Sequence, residues 1–315
     1  MGKLARLRTV AVASLIAILA SSCYLQLAWE AEQNGDPVPW FCDPVAVNSV
    51  TGPGMGFTNW YAGVPRGPLS HSDCKVLAAQ LDLAQKYAMQ YPTRGDAEAA
   101  GYFQSFERIT GMGTHHGLGV LSPADLQNPA FDPTSPEDFL NSGLPGHVDA
   151  VFEPGRPEFL QYDGNSPDSP LVGMSYFVYT DTGLPPEGFV GDNDRWHHHP
   201  TICHDPNTAV GIEVNISDSA CQNLGKINVH LDNFYMLHAW VVPDIELHDD
   251  VFAPIHPCIK PLSQGGAVFD MDDPCHDVLP AAGAPVPVGA SSGASPISML
   301  SCPLALGPDA DHLFS

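Results

Sequence analysis

The chain has 315 residues, of which 44% are hydrophobic and 15% charged, which excludes a disordered protein and allows a sizeable hydrophobic core. Its 12 Lys and Arg residues stand against 36 Asp and Glu residues, giving a formal net charge of -24. This balance argues against nucleic acid or an anionic membrane surface as a partner, and it makes cations the more natural ligands.

The N-terminal segment 1–23 has the pattern of an export signal. Three basic residues precede an apolar run at 10–20, and small residues then lead to Cys23. The pattern predicts an exported protein that is extracellular, periplasmic or membrane-anchored. Three fates stay open: cleavage, lipidation of Cys23 in a loose lipoprotein box, or retention as an anchor, since apolar character continues to Trp29.

Seven further cysteines are scattered along the chain without a Cys-x-x-Cys pair, which in an exported protein predicts disulfides. Because seven is odd, one of them must stay free, bind metal or pair outside the chain. Short loops favour the pairs Cys203 with Cys221 and Cys258 with Cys275. The seven are Cys42, Cys74, Cys203, Cys221, Cys258, Cys275 and Cys302.

Residues 24–69 are rich in Gly, Pro, Asn and Asp, which predicts an irregular lead-in to a single globular domain at 70–260. Ser70 is a typical N-cap, and apolar residues at helical spacing over 76–87 predict the first helix. Thr93 begins a second, shorter helix. We expect both helices to pack on a sheet.

The segment 111–117, Gly-Met-Gly-Thr-His-His-Gly, resembles a dinucleotide-binding glycine motif only superficially. Its last spacing is one residue too long, and neither a strand before it nor a helix after it is predicted, so this interpretation is rejected. Glycines on both sides of His115 and His116 let the backbone pass close to a neighbour. That neighbour is a metal or substrate in one interpretation, and part of a tight turn in the other.

The central part of the domain predicts short strands separated by turns, without intervening helices. Such a pattern favours an α+β fold in which the N-terminal helices pack on an antiparallel sheet, sandwich or small barrel. The segment 261–315, rich in Ala, Gly, Pro and Ser, predicts a tail that builds no core. The predicted strands are 157–164, 171–180, 209–214, 227–231 and 234–242.

Four of the fourteen histidines fall within the eight residues 197–204. In an extended segment, His197 and His199 share one face and lie about 7 Å apart. Two imidazoles at that separation reach one ion at about 2.0 to 2.1 Å. The segment therefore predicts a metal site, although a lone histidine in such a place is more often a solvent-facing or hydrogen-bonded residue.

In the last predicted strand His238 shares a face with Trp240, so its imidazole should be buried and needs a partner. A carbonyl or carboxylate would serve, and so would a metal shared with His197 and His199. Copper, zinc and iron suit imidazole ligands. Glu213 and Asp194 are candidates for a carboxylate ligand, or for a residue that orients one.

Several motifs together resemble a group of uncharacterised secreted or lipoprotein-type bacterial proteins. The resemblance runs from the first helix to Pro257 and leaves out the tail. It implies that His115, His197, His199 and His238 form one metal site, and it implies nothing about a reaction. The motifs are Tyr-Pro-Thr at 91–93, Gly-Met-Gly-x-His at 111–115, a Pro-Glu strand at 157–162, Leu-Val-Gly at 171–173, Trp-His-x-His at 196–199 and Leu-His-x-Trp at 237–240.

Three functions remain open at this point. The first is an exported protein that binds a transition metal through the histidines. The second is a cell-envelope interaction module in which the histidines are structural. The third is a mononuclear metal-dependent hydrolase or oxidoreductase, in which Glu213, set in an otherwise apolar strand, would act as general base. Whether the protein is an enzyme, and its oligomeric state, are not determined by the sequence.

Overall fold

The structure is a computed structural model, and it describes residues 23–43, 58–59, 67–118, 121–142, 148–243, 245–247 and 250–259. The predicted export signal up to residue 22 and the predicted tail lie outside the described residues. Cys275 and Cys302 lie outside them as well. The predictions made for these parts of the chain therefore stay predictions.

The described residues include six α-helices and one short 3₁₀ helix. Both predicted caps are confirmed: Ser70 accepts from the Asp73 amide, and Thr93 forms a capping box with Asp96. The lead-in is not irregular throughout, because it begins with a helix. The helices are α1 (Cys23–Asn34), α2 (His71–Ala88), α3 (Arg94–Ala99), α4 (Pro123–Leu126), α5 (Pro136–Asn141) and α6 (Asp218–Asn223), with the 3₁₀ helix at Trp40–Cys42.

Ten strands form one sheet in the described part of the chain, in the order β1-β6-β10-β5-β4-β3-β2-β8-β7-β9. The strands are β1 (Thr58–Asn59), β2 (Phe103–Ile109), β3 (Gly113–Gly117), β4 (Phe159–Tyr162), β5 (Leu171–Tyr179), β6 (His197–His198), β7 (Thr201–His204), β8 (Gly211–Val214), β9 (Ile227–His230) and β10 (Phe234–Ala239).

All five predicted strands are present, as β4, β5, β8, β9 and β10. The hairpin of β2 and β3 was missed, because β2 shows no clean alternation of buried and exposed residues. The prediction that no helices lie between the strands is also wrong, because α6 lies between β8 and β9.

The fold is α+β with a mixed, curled sheet that forms a half-barrel. A wholly antiparallel sheet was wrongly expected: β2 and β8 run parallel, with Phe106 opposite Gly211. The curl follows from the chain itself. The strands β6 and β7 stand near opposite ends of the sheet order, yet only His199 and Pro200 join them. Three residue steps reach about 11 Å at most, so the two ends of the sheet must approach each other.

The two faces of the sheet bury two separate cores. Helices α1 and α2 cover the outer face, where Leu81 of α2 belongs to the same core as Tyr176 and Leu237. The inner face carries an aromatic core that includes Phe177 and Met236. Because successive residues of a strand point to opposite faces, β5 and β10 contribute to both cores, and both strands are buried along almost their whole length.

Disulfides join Cys42 to Cys74 and Cys203 to Cys221, and the second pair confirms the prediction. Cys23 and Cys258 are disulfide-bonded as well, and the described residues include no free cysteine. The predicted odd cysteine stays a prediction, because Cys275 and Cys302 lie outside the described residues. A sulfur in a disulfide cannot carry a lipid, which argues against lipidation of Cys23. Cross-linked cysteines are typical of an oxidising, exported environment.

The start of α1 is fixed to α2 by a buried carboxylate. Asp82 of α2 accepts hydrogen bonds from the amides of Tyr24 and Leu25, each at 3.1 Å. These amides belong to the first turn of α1, where the backbone donors lack partners within the helix. Burial raises the pKa of Asp82 to about 6, against the opposing effect of these bonds. None of the helices in the described ranges is long and apolar enough to cross a membrane.

Candidate functional site

The four histidines singled out by the sequence lie together in the structure. The ring centroid of His238 is 5.7 Å from that of His115 and 5.1 Å from that of His197, which in turn is 5.2 Å from that of His199. All four side chains are buried, and the most accessible, His199, is 7% exposed. We refer to these four residues as the imidazole cluster.

The curl of the sheet brings the cluster together. His238 of β10 and His115 of β3 are separated by β5 and β4. In a flat sheet, three strand spacings would place them about 14 Å apart. Their rings are 5.7 Å apart instead, so both must point to the concave inner face. The link between β6 and β7 then carries His199 across the gap between the two ends of the sheet.

A glycine makes room beside the cluster. A Cβ atom on Gly173 would lie 2.5 Å from the indole ring of Trp240 and 2.8 Å from Oε1 of Gln161. The missing side chain therefore lets the Trp240 ring lie against β5, where its centroid is 5.6 Å from that of His238. This explains the glycine in the Leu-Val-Gly motif.

Backbone carbonyls hold two of the rings in one tautomer. Nδ1 of His238 lies 2.6 Å from the oxygen of Pro254, and Nδ1 of His197 lies 3.4 Å from the oxygen of Arg195. A carbonyl only accepts, so each Nδ1 donates and the lone pair of the neutral ring is on Nε2. Within the described part of the chain, Nε2 of His238 has no hydrogen-bond partner. Metal-binding histidines are commonly oriented in this way.

His115 is held by a side-chain amide. Nε2 of His115 lies 3.0 Å from Nε2 of Gln161, directly opposite on β4. The amide can present its oxygen instead, and His115 would then donate from Nε2 and keep its lone pair on Nδ1. That arrangement would also give Oε1 of Gln161 a donor. Among the described residues, this oxygen and Nδ1 of His115 have no partner in the present arrangement.

The cluster is neutral at physiological pH. Burial lowers the pKa values of His115, His197 and His238 to about 3 each, and charge repulsion from neighbouring rings adds to the effect. Burial also lowers the pKa of His199 well below its ordinary value. Neutral imidazole is the form that binds a metal ion, so the side chains are already in the required protonation state.

Three of the six ring-to-ring separations within the imidazole cluster are close to the value expected around a tetrahedral metal ion. With a bond of about 2.0 to 2.1 Å, each ring centroid lies about 3.2 Å from the ion, and two such centroids lie about 5.2 Å apart. The observed separations are 5.1 to 5.7 Å. As the rings now stand, no group of three or more His, Cys, Asp or Glu side chains within the described ranges is arranged to hold a metal ion. Coordination would therefore require the rings to turn about their side-chain bonds.

Neither predicted carboxylate joins the cluster. Glu213 is exposed on β8, opposite Cys203, which removes the burial on which its role as general base rested. Asp194 is buried, but it lies against Gly188 and beside Tyr176, on the helix-covered side of the sheet. The roles expected of these two residues, as ligand, orienting residue or base, do not match their positions.

An apolar pocket of about 720 Å³, its open mouth included, ends at the cluster. His115 and His199 form part of its wall, together with His204, which was not among the predicted site residues. The sequence of β7 could have indicated His204, because side chains alternate between the two faces of a strand and His204 therefore shares a face with the apolar Ile202. The other lining residues are Ser105, Phe106, Ile109, Met112, Leu121, Phe139, Phe159, Phe177, Ile202, Ala209, Val214, Leu231 and Met236.

Comparison of the chain with protein families, with curated proteins and with solved structures found no match. The resemblance to exported bacterial proteins, which rests on short motifs, therefore stays a prediction.

Proposed function

We propose that the chain is an exported protein that binds one transition metal ion through the imidazole cluster. The observation that carries the proposal is Nε2 of His238, whose fully buried ring lies beside the rings of His115 and His197 and which has no hydrogen-bond partner in the described residues. Burying an unpaired polar nitrogen costs about 1 to 3 kcal/mol. Coordination to a metal would offset that cost.

The donor set limits the choice of metal. Four neutral nitrogen ligands suit copper, zinc or iron. Calcium and magnesium prefer oxygen ligands. The two carboxylates expected near the cluster, Glu213 and Asp194, lie elsewhere, so calcium or magnesium would fit poorly. The net charge of -24 favours any cation at long range.

A chelator experiment on the exported protein tests the proposal. Removal of the metal should lower the melting temperature of the parent protein by several degrees, because a ligand that binds only the folded state stabilises it. The double variant His197→Ala/His199→Ala should show no chelator-dependent shift. His198→Ala is the matched control, since this ring lies between the two in sequence but packs on Tyr235 at 5.6 Å. No chelator effect in the parent would favour the envelope module with structural histidines.

We also propose that the segment 1–22 is a signal peptide that is cleaved during export. The bonded state of Cys23 and the anchoring of the next two residues by Asp82 support a mature chain that begins near this point. N-terminal sequencing of the exported protein should give a start close to Cys23. A lipid on Cys23, or an intact leader, would contradict this.

A second candidate, a mononuclear metal-dependent hydrolase or oxidoreductase, is favoured by the pocket that reaches His115 and His199. If three imidazoles coordinate the ion, the pocket side leaves a position for a substrate or water. Cobalt-substituted protein tests this: a change in its visible spectrum on adding azide would show an open position. An unchanged spectrum would indicate a closed, structural or carrier site.

A further inference from the structure

We propose that the apolar pocket binds an uncharged small organic molecule that has an aromatic or aliphatic body and one hydroxyl group, with the hydroxyl at the histidine end. The proposal names the ligand class of the same site. It rests on the proposed function only for the contact between the hydroxyl and the metal.

The side chains that line the pocket indicate that the main part of the ligand is apolar and uncharged. Four phenylalanines and two methionines line the pocket, and the described lining residues include no Lys, Arg, Asp or Glu. A charged group placed there would lose its hydration without gaining a partner. The rings of Phe106 and Phe159 stand edge-on to His115, at 6.4 and 6.1 Å between centroids, so aromatic walls run up to the polar end.

The apolar lining of the pocket argues that it is a binding site. Small-molecule sites are usually concave and lined mainly by hydrophobic and aromatic side chains with a few polar groups, as this pocket is. Water would find few partners on walls of this kind. Empty apolar space in a core is destabilising. A ligand with an apolar body removes both costs.

The polar end offers acceptors, which points to a hydroxyl donor. Nδ1 of His204 donates to the oxygen of Ile202 at 3.0 Å, so the lone pair of the neutral ring is on Nε2. Burial lowers the pKa of His204 to about 4, which keeps this ring neutral. A hydroxyl can donate to such a nitrogen, and its oxygen can also approach an ion held by the cluster. A hydrocarbon of the same shape can do neither.

A matched pair of ligands tests the proposal by calorimetry on the full exported protein. We expect 4-propylphenol to bind at least tenfold more tightly than propylbenzene, which lacks the hydroxyl. Val214→Trp, in the pocket wall, should weaken binding of 4-propylphenol at least tenfold. Val76→Trp is the control, because it adds the same bulk at a half-exposed position of α2, and its affinity should stay within twofold of the parent. If Val214→Trp does not fold, Ile109→Phe narrows the same pocket.

The outcomes separate this proposal from that of the metal site. His238→Ala removes a cluster residue that does not line the pocket, so it should abolish metal uptake while propylbenzene still binds within about threefold of the parent. If neither compound binds the parent, the pocket proposal is wrong, whatever the metal content. Equal affinities for the two compounds would overturn the hydroxyl assignment. Binding without any metal uptake would retain the pocket and contradict the metal function.

Discussion

Two buried histidines lie against the same tryptophan and differ in one respect. The ring of Trp240 is 5.6 Å from that of His238 and 5.3 Å from that of His256. Both histidines are almost fully buried, and burial lowers the pKa of each. His256 uses both nitrogens, since Nε2 donates to the oxygen of Ile245 at 2.9 Å and Nδ1 accepts from the amide of Cys258 at 3.1 Å.

His238 uses only one nitrogen within the described residues, and its other nitrogen lies among imidazoles. Burial and a lowered pKa therefore do not distinguish a structural histidine from a candidate ligand. What distinguishes them is whether the second nitrogen has a protein partner. His256 joins two parts of the backbone, whereas His238 retains a binding capacity that the described protein atoms leave unused.

The largest expected effect concerns metal affinity. His238→Ala should weaken binding of the metal at least about 100-fold, because a direct ligand matters at least as much as the groups that orient one. His256→Ala should change the affinity by less than about threefold. Competition with a chromophoric chelator measures both values. Equal losses in the two variants would remove the distinction between the two histidines.

The comparison reverses for stability in the absence of metal. His256→Ala leaves the Ile245 carbonyl and the Cys258 amide without partners, which should cost about 2 to 4 kcal/mol of unfolding free energy. His238→Ala should cost about 1 kcal/mol less, because it also removes a buried nitrogen that has no partner. Urea unfolding in the presence of chelator gives both values. A larger cost for His238→Ala would show that its ring is the more important structural element.

A smaller effect is expected from the residue that orients His115. Gln161→Leu should weaken metal binding about tenfold, as is typical when such a partner is lost. Gln161→Glu should keep the affinity within about threefold, because a carboxylate only accepts and so fixes the lone pair of His115 on Nδ1. Loss of affinity in both variants would point to a general packing role for Gln161 instead of a positioning role.

The smallest expected effect on metal binding is that of pH. Since the pKa values of His115, His197 and His238 are about 3, protons should not compete with the metal between pH 7.5 and 5.5, and the affinity should change less than about threefold. A site of exposed histidines would weaken below about pH 6.5. Titration at several pH values separates the two cases.

The lowered pKa values of His115, His197 and His238 also make the metal-free fold sensitive to acid. The folded pKa values lie below the unfolded value of about 6.5, so the stability from neutral histidines is fully present above pH 6.5. It is lost as pH falls towards 3, by on the order of 1 kcal/mol per pH unit for each histidine. Replacing His238 by Asn should make this slope shallower, which urea unfolding at several pH values would detect. An unchanged slope would contradict the assigned burial effect.

Local signals in the sequence were sufficient for much of the fold. The caps at Ser70 and Thr93 act within one turn of helix, and the nine residues of β5 are rich in β-branched and aromatic side chains. The burial of His238 followed from the face that it shares with Trp240. The sequence of β8 also indicated that Glu213 faces solvent. Neighbouring residues of a strand point to opposite faces, and its neighbour Val214 lines the pocket.

Other features depend on contacts between distant parts of the chain. The parallel pairing of β2 with β8 places Gly211 so close to Phe106 that a Cβ atom would lie 2.5 Å from the ring. No local pattern encodes that approach. The position of His199, in the link that brings β6 next to β7, likewise depends on the curl of the whole sheet. The inclusion of His115 in one site came from the motif resemblance, and spacing alone could not have placed it 5.7 Å from His238.

The central claim is that the imidazole cluster holds a metal ion, and elemental mass spectrometry tests it most directly. The measurement needs the exported protein purified without a histidine tag, alongside His238→Ala and His256→Ala. We predict about one equivalent of copper, zinc or iron per chain in the parent and in His256→Ala, and less than about a tenth in His238→Ala. No metal in the parent, with none taken up on titration, would contradict the claim and make the cluster a structural part of the inner core.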